Sequence, residues 1–328
     1  MTRQMSVGMK AYASELTARL PQAAPDLEFI PFRDGRNFSI AEQIELPRAM
    51  KRAKVDLCHF LSLYTPALPP RPYIITIHDV IHLRYPQYFK KRVMPYYQTV
   101  VRLAANRAAR VITDDERTVA DLERFLGVDP ARCRVVPLGV GELFSRPVTP
   151  HRGERPYFLY VGNHRPHKNL ETLLAAWRDL AGSPCDLYLT GADDFPGGLA
   201  QYNREAARVV PLGEVAVEHL VELYAGACGL IAPSLSEGFG LPMLEAMAAG
   251  CPVIASDTAA PRILSPAILT VPPTDRSALR AAMQSVRDEG LRADLVNQGR
   301  ELAGRLSWDR CAVRTADVYR EVLEEGRR

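Results

Sequence analysis

Short apolar runs of four to six residues alternate along this chain with stretches in which apolar positions recur every three or four residues. That alternation predicts parallel α/β sheets, with continuous apolar runs as buried strands and the 3.6-residue pattern as their crossover helices. In the first half the runs predict strands at 27–31, 55–60, 73–77, 110–113 and 133–136; in the second half, at 157–161, 186–190, 208–211, 229–232, 252–255 and 269–271. Between them, Ser145 to Gly153 carries no periodicity and is rich in helix breakers, which predicts an interdomain linker. The domains are therefore expected at 1–146 and 154–306. A final helix is expected over 307–325, capped by the Ser307 hydroxyl. No internal repeat or low-complexity run interrupts the pattern.

Composition fits two ordinary cores: 328 residues exceed what one core usually serves, and 47% are hydrophobic. No run approaches the roughly 18 apolar residues of a membrane span. The opening MTRQMSVGMKAYASELTARL is polar and amphipathic and lacks the apolar centre of a signal peptide, so a cytoplasmic protein is expected. Cys58, Cys133, Cys185, Cys228, Cys251 and Cys311 form no C-x-x-C pair and read as buried thiols in a reducing compartment.

Charge is uneven. Residues 1–150 hold 22 Lys and Arg against 15 Asp and Glu, a net of +7, whereas residues 151–328 hold 19 against 23, a net of −4. Much of the excess lies in Lys90, Lys91, Arg92, Arg102, Arg107 and Arg110, interleaved with Tyr88, Phe89, Tyr96 and Tyr97, on a helix expected after Pro95. Two readings stay open: a solvated helical face, or attraction to anionic lipid head groups or a lipid-phosphate acceptor at the inner face of a membrane. No nucleic-acid-binding module is recognisable, and no nucleic acid partner is expected.

The densest chemistry lies in SLSEGFGLPMLEAMAAGCPVIAS, residues 234–256. The strand at 229–232 leads into a loop carrying Glu237. Pro242 suits the first turn of a helix, and Gly250 suits its end. Gly238 and Gly240 let backbone approach a ligand, and free N–H groups at the helix start favour phosphate. Taken alone, this is also what an ordinary strand-to-helix turn with two solvated glutamates would look like. The whole string closely resembles the signature of the family-four (group 1) retaining glycosyltransferases, whose GT-B fold sets two Rossmann-like domains with parallel sheets face to face across a cleft. The resemblance implies that Glu237 contacts hydroxyls of a donor sugar and Glu245 the ribose. It also implies that the amides of Gly238, Phe239, Gly240 and Leu241 line the sugar and diphosphate.

A second segment, YFLYVGNHRPHKNL (157–170), brings a strand to Gly162 and then to Lys168, expected at a helix start with Asn169. Lys168 is the only lysine among residues 151–328, against 18 arginines. A diphosphate leaving group gains charge as its bond to the sugar breaks, and a positioned cation stabilises it by about 3 kcal/mol. Lys168, with Arg165, is the candidate cation; the plain alternative is a surface lysine at a helix start, where the dipole disfavours it. Asn163 and His167 stand where many family members carry basic residues.

In the first half, the strand at 73–77 delivers His78 to the carboxyl edge of a parallel sheet, where open α/β folds bind ligands. TIHDVIHLRYPQYF resembles the family segment whose histidine lines the donor sugar, which implies that role for His78; a core histidine is the alternative. Asp79 either orients His78 or caps the next turn. His59 and His82 read as structural. The strands at 110–113 and 134–136 extend the resemblance, but Asp114-Asp115-Glu116-Arg117 replaces the usual small, hydroxyl-rich turn. Family members also open with an apolar strand and a glycine loop. Here the chain opens at Ser6-Val7-Gly8, so the first strand is expected to be missing and Gly8 to be the loop glycine that approaches the donor.

Together these features predict a retaining hexosyltransferase of mannose or glucose type, acting on a nucleoside diphosphate sugar and a glycan or lipid-linked acceptor. The family's C-terminal tail packs on the N-terminal domain, and residues 307–328 are expected to do the same. No D-x-D motif occurs, which fits leaving-group stabilisation by a protein cation; no metal and no cofactor beyond the nucleotide sugar substrate are expected. The alternatives are a non-catalytic sugar-nucleotide-binding subunit and a nucleotide-sugar epimerase of the same fold.

Overall fold

The computed structural model describes residues 7–32, 40–91, 93–180, 184–191, 198–204 and 207–327. The chain divides into two compact units, Met1–Gly139 with Leu306–Arg328, and Val140–Arg305.

In the first unit, β1 (Cys58–Phe60), β2 (Tyr73–Thr76), β3 (Arg110–Thr113) and β4 (Cys133–Val135) form a parallel sheet in that order. His59 pairs with Ile74, and Ile74 with Arg110. All four residues of β2 are buried, as a parallel strand covered on both faces requires. The helix Val7–Ala23 buries Tyr12, Leu16 and Leu20, four residues apart on one face. Against it packs the last helix, Trp308–Glu325, whose Ser307 hydroxyl caps the Arg310 N–H at 3.2 Å. Arg110 on β3 donates to Glu321 at 2.8 Å, Arg134 on β4 donates to the same carboxylate at 3.0 Å, and Arg19 pairs with Asp309 at 2.9 Å. Sheet and first helix thus both hold the C-terminal helix within this unit.

Several expectations change here. Residues 27–31 form no strand: Pro31 has no N–H to donate, and Ile30 and Phe32 are 47% and 39% exposed. Gly8 is the second residue of the helix Val7–Ala23 and not a loop glycine; Ser6 lies outside the described residues. The basic helix begins at Val93, with Pro95 in its first turn, where a missing N–H costs little, and continues through a π turn at Tyr97–Val101 to Arg107. Arg110 leaves the basic face for its carboxylate partners and Tyr97 is in the core, while Arg92 lies outside the described residues.

The second unit carries a six-stranded parallel sheet of β5 (Tyr157–Tyr160), β6 (Cys185–Thr190), β7 (Ala207–Gly213), β8 (Gly229–Ala232), β9 (Val253–Ser256) and β10 (Ile268–Val271), in the order β10-β9-β8-β5-β6-β7. The chain moves outward from β5 through β6 to β7, then returns to β8 on the other side of β5 and moves outward again. That reversal makes the carboxyl ends of β5 and β8 a topological switch point, where open α/β sheets leave a crevice. Trp177, Phe158, Leu173 and Met283 fill the core beneath the sheet. The turn Glu142–Ser145, which ends where the expected linker begins, buries Phe144 beside Tyr224, with ring centroids 6.1 Å apart.

Gly139, where the first unit closes for the first time, tests that closure. A Cβ there would overlap the backbone of Ser307 and Trp308. Gly139→Ala is expected to lower unfolding free energy in urea by about 2 kcal/mol. Gly304→Ala, with open space around it, is expected to stay within about 0.5 kcal/mol of the parent.

Candidate functional site

The two loops at the switch point of the second sheet meet through one ion pair. After β5 the chain turns at Gly162 and forms a single 3-10 turn, Pro166–Lys168, so Lys168 precedes the helix Leu170–Arg178 and is not part of it. Asn169 sits between them in the left-handed region (φ 56°), which asparagine tolerates better than most residues. Its side-chain amide donates to the carbonyls of Pro233 (2.9 Å) and Pro273 (2.7 Å), and its oxygen accepts from the Thr172 hydroxyl (2.7 Å). Asn169 therefore ties the loop after β5 to the loop after β8. Lys168 Nζ then reaches both oxygens of Glu237, Oε1 at 2.7 Å and Oε2 at 2.8 Å, and the Ser234 hydroxyl donates to Oε1 at 2.6 Å.

Burial pushes the Glu237 carboxyl up, but the Lys168 charge and the hydrogen bonds from Lys168 and Ser234 outweigh it and hold the group below its ordinary value. The pair lines a small pocket with Tyr160, Ser234, Gly240 and Met243. Gly240 caps the helix Leu241–Ala248 in the left-handed region (φ 72°), and a Cβ there would overlap Met243. No side chain caps that helix start. Phe239 points its ring inward at 3% exposure, so its backbone is what faces the loop. Two strands away, Gly191 lies so close to the Gly162 carbonyl that a Cβ would overlap it, which packs the loop after β6 against the loop carrying Gly162.

Glu245 lies one turn along the same helix and accepts a hydrogen bond from the buried Tyr224 hydroxyl at 3.2 Å. Burial pushes its carboxyl up to about 7, with the Tyr224 bond offsetting only part of that. Arg165 is exposed and lies outside the pocket lining, its backbone N–H donating to Asn163 Oδ1 at 3.3 Å.

His78 belongs to the first unit, at the carboxyl end of β2. Its Nδ1 meets Asp114 Oδ2 at 2.7 Å, the side chains being 13% and 1% exposed. Asp79 instead accepts from the Ile81 N–H at 3.0 Å and caps the following turn. The Tyr12 ring stands edge-on to the imidazole, with centroids 4.6 Å apart. The pocket thus joins Lys168, Glu237 and Gly240, while Glu245 sits farther along their helix. Asn169, Ser234, Tyr224 and Asp114 hold these groups through hydrogen bonds that reading the motifs alone did not assign. Of these only Asp114 carried a signal, as the acid standing where a small hydroxyl residue is usual.

Two parallel α/β units, one with a charged pocket at its switch point, define a doubly wound α/β protein of the kind that binds ligands at sheet edges. Residues 155–289 match the family model of the glycosyl transferases group 1 and residues 11–141 that of glycosyltransferase family 4, and the chain belongs to the group 1 glycosyltransferases. It is 28% identical over 291 residues to O-antigen chain mannosyltransferase B of Escherichia coli, covering 83% of this chain and 76% of that protein. To O-antigen chain mannosyltransferase RfbU of Salmonella typhimurium it is 28% identical over 65% of its own length and 60% of the relative's. Among solved structures, sucrose-phosphate synthase from Thermosynechococcus elongatus superposes with a TM-score of 0.70 at 26% identity, over 93% of this chain and 82% of that one. The fold is GT-B.

The two glutamates respond oppositely to pH. Glu237, held low, contributes stability above the ordinary carboxyl pKa that is lost as pH falls. Glu245, raised to about 7, contributes stability that is full below about 4.5 and lost as pH climbs through 7. Glu245→Gln is therefore expected to flatten the loss between pH 4.5 and 7.5, gaining about 2 kcal/mol over the parent at the upper end, as measured by urea unfolding of the ligand-free protein.

Proposed function

We propose that this chain transfers a hexose, with retention of configuration, from a nucleoside diphosphate sugar to a hydroxyl of a glycan or lipid-linked acceptor. The observation that carries the reading is the Lys168–Glu237 pair in a pocket at the switch point of the second sheet. Mannose is the favoured sugar, because two relatives are named as O-antigen mannosyltransferases.

The pair's geometry supplies a division of labour. An ammonium carries three N–H donors. Two of those on Lys168 are committed to Glu237, and the third is available to a phosphate oxygen. Glu237, already holding Lys168 and the Ser234 hydroxyl, keeps a lone pair for a sugar hydroxyl. As the bond from the anomeric carbon to the diphosphate oxygen breaks, charge builds on that oxygen, and Lys168 with the uncapped helix start at Gly240 stabilises it. The acceptor oxygen bonds the anomeric carbon from the same face, and its proton passes to the departing phosphate oxygen, so no side-chain base is consumed. Glu245, protonated to a large extent near neutrality when free, accepts ribose hydroxyls as a carboxylate. Donor binding therefore strengthens as pH rises from 6 to 8.

We extend the proposal to a lipid surface. Lys90, Lys91, Arg102 and Arg107 are exposed along the first unit, with Leu103 at 41% exposure, an arrangement suited to anionic head groups. Among the described residues no helix is long and apolar enough to cross a membrane.

Turnover of GDP-mannose, UDP-glucose and UDP-N-acetylglucosamine, followed as nucleotide release with and without EDTA, tests the reaction. One donor is expected to be consumed, equally well with EDTA. Lys168→Ala is expected to lower kcat by about 100-fold or more, and Glu237→Gln to weaken both kcat and KM. Binding without turnover for every donor would leave a sugar-nucleotide-binding subunit as the better description.

A further inference from the structure

Among the described residues, three buried side-chain polar atoms without a hydrogen-bond partner stand at the carboxyl ends of two neighbouring strands of the first unit: His78 Nε2 after β2, and Thr113 Oγ1 and Asp114 Oδ1 at the end of β3. Buried polar groups are normally paired, so a cluster of open ones marks a place built to receive something. Around them the network is closed. Tyr12 shares a hydrogen bond with Thr76 at 3.0 Å, His59 Nε2 meets the same hydroxyl at 2.8 Å, and His59 Nδ1 meets the Tyr319 hydroxyl at 2.6 Å. The neighbours are satisfied by one another, and the openings concentrate on His78, Asp114 and Thr113.

We propose that Asp114 is a positioning residue: its carboxylate accepts the His78 Nδ1–H, fixes the imidazole ring and tautomer, and leaves Nε2 as the atom that accepts a hydrogen bond from a substrate hydroxyl. The proposal rests on the sugar-transfer reading above and adds to it the group that aims the histidine. Three features of the geometry make the role specific. The bond is 2.7 Å from Nδ1 to a carboxylate that is 1% exposed, so water does not compete for it. The Tyr12 ring, edge-on at 4.6 Å, and the Thr118 hydroxyl, donating to the His78 carbonyl at 3.4 Å, restrict movement of the residue as a whole. The nearer acid in sequence, Asp79, is already committed to capping Ile81. With Nδ1 committed, the second ring nitrogen is the one left for a ligand, and its tautomer is set by the first. The ligand class that suits a lone-pair nitrogen beside a carboxylate oxygen and a hydroxyl is a polyol, which offers several O–H donors at sugar spacing.

Burial alone would push His78 down; the charge and hydrogen bond of the Asp114 carboxylate, joined by the Asp79 charge and the Leu61 carbonyl, outweigh it, so the ring stays more basic than an ordinary imidazole. The other titratable groups around the pair are Tyr12 from the first helix, His59 from β1, Asp79 and Asp115 from the adjoining loops, and Cys311 from the C-terminal helix. His59 is held neutral, its value pushed down to about 3 first by burial and then by His78, so it does not titrate in the same range.

The test pairs a ring readout with a kinetic one. In protein carrying 15N-labelled histidine, the parent His78 is expected to show Nδ1 protonated and Nε2 unprotonated above its titration midpoint. Asp114→Asn is expected to lower that midpoint and mix the tautomers, while far-UV circular dichroism stays unchanged. With GDP-mannose as the probe, Asp114→Asn is expected to lower kcat/KM by about 10- to 100-fold and to move the acid limb of its pH profile downward, and Asp114→Glu to restore part of the rate. An unchanged midpoint and tautomer in Asp114→Asn would overturn the proposal, as would a shifted midpoint with unchanged kcat/KM. Failure of the parent to consume any donor would instead count against the sugar-transfer reading, while the ring resonances would still decide whether Asp114 holds His78.

Discussion

The bond between Lys168 and Glu237 is the constraint on which the second unit's site depends. Neither side chain can be placed by its own strand alone: Lys168 follows β5 and Glu237 follows β8, residues far apart in sequence that become neighbours only because the sheet reverses direction between these strands. A largely buried ammonium or carboxylate left alone would lose several kcal/mol of solvation, so the two loops must close on each other or leave the crevice uncompensated. Asn169 secures that closure through two backbone carbonyls, and Ser234 completes the carboxylate's coordination. The choice of lysine follows from the same geometry. A compact ammonium can serve both oxygens of one carboxylate and keep a third N–H to spare, whereas a guanidinium fork would fill the space with a plane.

The first unit is organised around a different principle, a chain of shared protons under the sheet. Tyr12, Thr76, His59 and Tyr319 pass hydrogen bonds from the first helix through β2 and β1 to the C-terminal helix. Each member is satisfied only while both helices are docked. The imidazole of His59, with a proton affinity far below that of a free histidine, is the measure of how dry this layer is. Beside this chain the Tyr12 ring stands edge-on to His78, whose Nε2 is buried and left open together with Asp114 Oδ1.

Much of the scaffold was legible in the sequence because parallel strands covered on both faces leave unbroken apolar runs. Tyr73-Ile74-Ile75 and Leu230-Ile231 could hardly be anything else, and the strand at 110–113 falls where its pattern placed it. The capping hydroxyl of Ser307 and the left-handed Gly250 were equally readable, since each is a local need met by a local residue. The stretch at 27–31 shows where the method ends, for its apolar residues lie beside prolines that cannot join a ladder. At the site, Glu237, Lys168 and Glu245 were visible as residue types in a motif. The side chains that support them, Asn169, Ser234 and Tyr224, were not, because which neighbour a side chain bonds, whether three residues away as for Ser234 and Glu237 or 21 as for Tyr224 and Glu245, is a property of the closed fold. Gly8 was misread for the opposite reason: a glycine signals freedom, and only the helix around it shows that the freedom goes unused.

The C-terminal helix lends the molecule an order in time. Residues 306–327 complete a unit whose other part ends at Gly139, so on a ribosome the first unit has its sheet strands long before it has the helix that carries Tyr319 and Glu321. The second unit is continuous from Val140 to Arg305 and can close while the first still waits. Domains usually fold as they emerge, the earlier one first; here the later segment is free to finish before the earlier one, and the chain's final helix acts as the latch of its beginning. Nascent chains stalled short of that helix would expose the apolar face of Val7–Ala23, making the interval before its arrival the time when this protein most needs a chaperone.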